Sequence, residues 1–280
     1  MAAEFLAEFD NTLGQGVVDV VIRGESQAYL TIGGETAYRV EFTLCDTCAY
    51  LFEKVYPAQS LAEAMPQDDA RAVADLLKDL KGIPKAPGLE LIGRIFAPGT
   101  YTVLLRRLTP QLVLPGAEDD YFAREAVNTW GVDPYFGVAD SPRTPYYRLG
   151  TKPLDDVPYG GRRLGVVLGV PLYPPTQKVM MQPSVVDAYR RALRAKITRP
   201  TVLALGLVDD RGPAVWDSEP TFTRHLIVTL YILDGHHKTF AAADKQMPVQ
   251  FLVFLPHSYV GRDWRERVES GVALLQKVGM

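Results

Sequence analysis

The chain has 280 residues, 47% of them hydrophobic and 22% charged, with a formal net charge of −3. That balance excludes a largely disordered chain, a collagen-like repeat and a small disulfide scaffold, and the length suggests two domains at a typical size of ~150 residues. No apolar run approaches the ~18 residues of a membrane span, so no membrane partner is expected.

The start, Met-Ala-Ala-Glu-Phe-Leu-Ala-Glu-Phe-Asp, lacks the basic and apolar stretches of a secretory leader, and a cytoplasmic location is expected. The two cysteines, Cys45 and Cys48, are too few for a disulfide framework and agree with a reducing compartment. Charge is unevenly divided. Residues 1–150 carry 13 basic against 21 acidic side chains, and residues 151–280 carry 17 against 12. The second half is therefore the more favourable place for an anionic ligand.

In chain order, Val17 to Ile22, Ala28 to Ile32 and Tyr38 to Leu44 read as a β-meander with turns at 24–26 and 33–35. Cys45 to Tyr56 turns helical. Asp68 to Leu80 is a clearer helix with Ala70, Val73, Leu76, Leu77 and Leu80 on one face. Pro84 and Pro87 end it, and Leu89 to Phe96 and Tyr101 to Leu105 follow as strands. Residues 116–163 are rich in Gly, Pro, Tyr and Asp. They carry a short helix near Tyr121 to Asn128 and mark a boundary between units. Arg163 to Leu172 is a buried-type strand, and Ser184 caps a helix running to about Ala195. Thr201 to Val208 is a strand, Asp209-Asp210-Arg211-Gly212 a turn, and His225 to Leu233 a strand. Asp234-Gly235 turns sharply into a helix from His236 to Lys245. A last strand, Val249 to Leu255, precedes a helix from about Asp263 to Lys277. The expected fold class is mixed α+β: a β-rich unit over 1–150 and a second domain over 160–280.

Three patterns carry candidate chemistry. Strand, glycine turn, helix at Asp234 to Lys238 is the strongest. The first amides of a helix have no intrahelical acceptor, the helix dipole adds positive charge there, and together they favour an anion. Gly235 permits close backbone approach, and His236, His237 and Lys238 add donors. Asp234 serves either as the helix cap or to orient a ribose or metal. The plain alternative is a capping aspartate followed by surface histidines. Second, Cys45-Asp46-Thr47-Cys48 opens a helix, where a thiolate gains stabilisation. Asp46 opposes that, and a zinc site lacks two nearby ligands, so structural cysteines compete with redox or metal roles. Third, Arg190, Arg191, Arg194, Lys196 and Arg199 cluster at a helix end, either toward the ligand or as a solvated face.

The run Tyr-Ile-Leu-Asp-Gly-His-His-Lys-Thr-Phe-Ala-Ala-Ala, followed by Met-Pro-Val-Gln-Phe-Leu-Val, resembles the ParB/sulfiredoxin-like superfamily over about residues 163–256. The family's usual forms are Asp-Gly-His-His-Arg or Gly-Glu-Arg-Arg. The resemblance implies nucleotide phosphates surrounded by Gly235, His236, His237 and Lys238, and Asp234 completes the candidate phosphate-binding turn. ATP or CTP with Mg²⁺ are the candidate cofactors, and His236 and His237 are of the type that acts as general acid or base near neutral pH. Lys238 replaces the usual Arg and lacks its bidentate fork. No sulfiredoxin-type cysteine lies in the motif.

The leading expectation is a protein that binds a nucleotide or other phosphorylated ligand. If it is an enzyme, it is a nucleotide-dependent phosphotransferase, phosphoesterase or nuclease. The alternatives are a non-catalytic binding protein, with a protein partner on its N-terminal half, and a nucleic-acid-binding protein. The net negative charge and the lack of a basic stripe argue against the last.

Overall fold

A computed structural model describes residues 5–23, 27–41, 60–113, 146–149, 157–159, 162–170, 181–211, 224–258 and 264–278. The expected helices at 45–56 and near 121–128, and with them Cys45 and Cys48, lie outside the described residues.

Among the described residues the fold is mixed α+β. A small antiparallel sheet joins β2 (Val18–Arg23), β3 (Gln27–Ile32) and β4 (Glu35–Glu41). A large mixed sheet contains β1 (Phe5–Asn11), β5 (Gly99–Leu108), β12 (Val249–Pro256), β10 (Thr201–Arg211), β11 (Arg224–Asp234), β9 (Arg162–Val170), β7 (Tyr146–Leu149) and β6 (Pro110–Val113), in that spatial order. The short β8 (Val157–Tyr159) also pairs with β9. Parallel pairing joins β10 to β12 and β11 to β9, and the other neighbours run antiparallel. Strands from both sides of the expected boundary share this sheet, since β5 pairs with β12 along its length.

Alternation along the central strands builds two cores. Val202, Ala204 and Val208 face one side of β10, where they pack with α4 (Pro183–Ala195), α5 (His236–Asp244) and α6 (Trp264–Val278). Leu203, Leu205 and Leu207 face the other side and pack with the small sheet, α1 (Leu61–Ala64), α2 (Gln67–Leu76) and α3 (Ala86–Gly93). Every residue of β12 is buried, as expected for a strand covered on both faces. On the α1–α3 side, the rings of Phe96 and Phe254 stack at 4.6 Å.

Buried polar side chains tie the layers together. Asn11 Nδ2 donates to the Gly93 carbonyl at 2.8 Å, holding α3 to the edge strand. Gln250 Nε2 donates to the Leu80 carbonyl at 2.7 Å and to Thr201 Oγ1 at 2.9 Å. Arg106 donates through Nε to the Leu275 carbonyl at 3.1 Å and through Nη2 to the Gln276 carbonyl, which seats the end of α6. Gly271 lets α6 lie close to the sheet, because a Cβ there would fall 2.5 Å from Val208 Cγ2.

Three local expectations are corrected. Residues 86–93 are helix, not strand: Pro87 lies in the first turn of α3, where its missing N–H costs nothing. Residues 209–211 continue β10, because Asp209, Asp210 and Arg211 pair with Ile227, Leu226 and His225. Ser184 is not the cap of α4; Gln182 precedes the helix and Pro183 occupies its first position. Among the described residues no helix is long and apolar enough to cross a membrane.

Candidate functional site

The β11–α5 turn is built around Gly235, which takes φ 104° and ψ 24°. A Cβ at this position would lie 3.1 Å from Val202 Cα and 3.3 Å from Lys238 Cδ. Both the left-handed backbone and the close approach to β10 therefore favour glycine. The first intrahelical bond runs from the Thr239 N–H to the Gly235 carbonyl at 2.9 Å. The amides of His236, His237 and Lys238 come ahead of it, at the positive end of α5.

Lys238 points inward. Its residue is only 4% exposed, and its Nζ donates to the Thr201 carbonyl at 2.8 Å and to Asp234 Oδ2 at 2.9 Å. The left-handed turn at Gly235 brings Asp234, the last residue of β11, against Lys238 in the first turn of α5. Asp234 therefore does not cap the helix through its side chain; α5 has no side-chain cap, and the carboxylate is drawn onto the lysine. Lys238 also lies 6.0 Å from the Tyr189 ring centroid. The pair locks the turn to the start of β10.

His237 is half-buried, and its Nε2 accepts a hydrogen bond from the Gln182 N–H at 3.1 Å. An accepting Nε2 places the ring proton on Nδ1. Desolvation lowers the pKa of His237, against a smaller raising effect from Asp234. The ring is thus neutral near pH 7 and ties α5 to the N-terminus of α4. Arg190 reinforces the junction, bonding Asp187 at 2.7 Å and Asp244 at 2.9 Å.

His236 turns the other way. With Asp234 and Leu233 it lines a cleft of about 150 Å³ whose opposite wall is Ser60, Leu61 and Met65 around α1 and Ala70, Val73 and Ala74 of α2. The wall is almost wholly apolar. Ser60 Oγ is engaged in the capping box of α1, bonded to Glu63 Oε2 at 2.8 Å. Sequence reasoning missed this wall. Its signal was present in the amphipathic spacing of Ala70, Val73 and Leu77, but nothing local said which strand end the helix would face.

The other candidates are dispersed. Arg191, Arg194, Lys196 and Arg199 are exposed. The backbone N–H of Arg199 donates to Asp79 Oδ1 at 2.9 Å. His257 belongs to a separate cluster, with Nε2 2.8 Å from Thr102 Oγ1 and its ring stacked on Trp264 at 4.0 Å. Desolvation lowers its pKa, Glu8 and Asp10 oppose the shift, and Arg265 adds to it. Among the described residues no group of three or more His, Cys, Asp or Glu side chains is arranged to hold a metal ion.

No family model, curated protein or solved structure matches this chain.

Proposed function

We propose that the protein binds a small phosphorylated ligand, nucleotides among the candidates, in the cleft beside the Asp234–Lys238 turn. One observation carries the reading: Asp234 and His236, on either side of Gly235, both line the cleft. An anion entering it comes beside His236, the first residue of α5, at the positive end of the helix dipole. His236 brings an imidazole to the same wall. Lys238 acts indirectly, by neutralising the Asp234 carboxylate that would otherwise repel phosphate. The resemblance of the turn to the ParB/sulfiredoxin-like superfamily supports the same choice of ligand.

Binding without chemistry is favoured over phosphoryl transfer by the engagement of His237 with Gln182 and of Lys238 with Thr201 and Asp234. His236, which lines the cleft, is the candidate acid or base. A thermal-shift series with inorganic phosphate, ATP, CTP and GTP, with and without Mg²⁺, tests the reading on the wild type and His236→Ala. A ligand at ~100 times its Kd stabilises the fold by about 2.7 kcal/mol. The expected result is a raised Tm that shrinks in the variant, with no phosphate released from the bound ligand. No shift with any phosphate overturns the proposal.

A further inference from the structure

We infer that the ligand's body is a single ring-sized or branched-chain apolar group rather than a nucleoside, so that the substrate class is a small phosphomonoester. The inference rests on the proposed phosphate site and narrows it. The cleft offers about 150 Å³. A cavity of roughly that volume accepts one benzene molecule, whereas sites that bury a drug-sized ligand run to about 300–1,000 Å³. The space the cleft encloses suits one ring-sized group, and a base, a ribose and a phosphate chain together would extend out of it.

The chemistry of the wall agrees with its size. Leu61, Met65, Val73 and Leu233 are buried side chains that line it, and Ala70 and Ala74 stand one helical turn apart on α2. Ser60, the polar residue on that wall, already has its hydroxyl bonded to Glu63. A nucleobase needs partners for its edge nitrogens and carbonyls, and a desolvated polar edge without them is costly. This wall is suited instead to a hydrocarbon surface. Asp234 and His236 supply the polarity on the opposite side, where β11 leads into α5. A compact apolar group in the cleft, one or two bonds from a phosphate at the turn, satisfies both sides at once.

The test compares inorganic phosphate, phenyl phosphate and ATP by calorimetric titration of the full chain. The wild type is set beside Ala70→Leu and Ala74→Leu, which fill the cleft from α2. Ala74 is exposed and Ala70 half-buried, so two independent variants guard against misfolding. Phenyl phosphate is expected to bind about tenfold or more tightly than inorganic phosphate, from burial of its ring. ATP is expected to bind no more tightly than inorganic phosphate. Each variant should remove the advantage of phenyl phosphate over inorganic phosphate. Tighter binding of ATP than of phenyl phosphate overturns the inference while leaving the phosphate site standing. So does equal binding of phenyl and inorganic phosphate, or an advantage that survives both variants. Failure of all three probes to bind removes the phosphate site and this inference with it.

Discussion

Replacing Lys238 with methionine separates a structural lysine from a ligand-binding one. Methionine keeps most of the stem that packs under Gly235 and removes the ammonium group. Two hydrogen bonds are lost, at 2.8 Å to the Thr201 carbonyl and at 2.9 Å to Asp234. The Thr201 residue is fully buried, so its carbonyl loses a charged donor where water does not readily replace it, at a cost of about 1–3 kcal/mol. The Asp234 side chain is 37% exposed, and water takes up much of the freed carboxylate, so its contribution is well below that of a fully buried pair. The expected loss is about 2–4 kcal/mol of unfolding free energy, most of it from Thr201. Asp234→Asn keeps an acceptor for Nζ and should cost less than half as much. Urea denaturation followed by circular dichroism measures both, and m should stay constant, so that the midpoint carries the change. A Lys238→Met protein as stable as the wild type but unable to bind phosphate would refute the reasoning, because Lys238 would then be a ligand contact.

Other consequences follow from the same geometry. Gly235→Ala is expected to lose about 1–3 kcal/mol, since φ 104° is strained for alanine and the new Cβ meets the Val202 backbone at 3.1 Å; a drop in Tm against an equally conservative Gly82→Ala control reads it. His237 and His257 both have lowered pKa values in the fold. Their neutral forms are favoured there, so the stability they contribute is complete above the unfolded value of about 6.5 and is lost as pH falls through the lowered values. Denaturation midpoints between pH 7.5 and 5 should decline, and less steeply in His237→Gln and His257→Gln. Gln250→Leu removes the donor to the Leu80 carbonyl and should cost about 1–3 kcal/mol by chemical denaturation. Arg106→Met frees the Leu275 and Gln276 carbonyls, and hydrogen exchange should rise first in the last turns of α6.

The sequence carried local information well and long-range information poorly. The β-meander, the helix at the C-terminal side of Gly235 and the buried strand 249–255 were legible because their periods and turn residues are local. The pattern Phe5, Ala7, Phe9, Asn11 has the period of a strand, but its partner, β5, lies far along the chain, with Phe5 opposite Leu105. At 89–96 the apolar residues suit both periods, and Pro87, which reads as a helix stop, lies in the first turn of α3. Asp209 and Asp210 resemble turn residues, yet the pairing with β11 extends through them. At the site, Asp234 and Lys238 are close in sequence, but their pairing depends on the left-handed turn at Gly235. The Thr201 carbonyl that takes the second bond of Lys238, the Gln182 amide that fixes His237, and the apolar wall from α1 and α2 all come from distant segments. Strand order brought them together, and no short motif encodes strand order.

The most direct measurement of the central claim is a titration of the ¹⁵N-labelled chain with phenyl phosphate and with inorganic phosphate, followed by the backbone amide resonances. Saturable shifts concentrated at Gly235, His236, His237 and Lys238 are expected with both ligands. Further shifts at Ala70, Val73 and Ala74 are expected with phenyl phosphate alone. Saturable shifts elsewhere, with the amides of 235–238 unmoved, would contradict that claim.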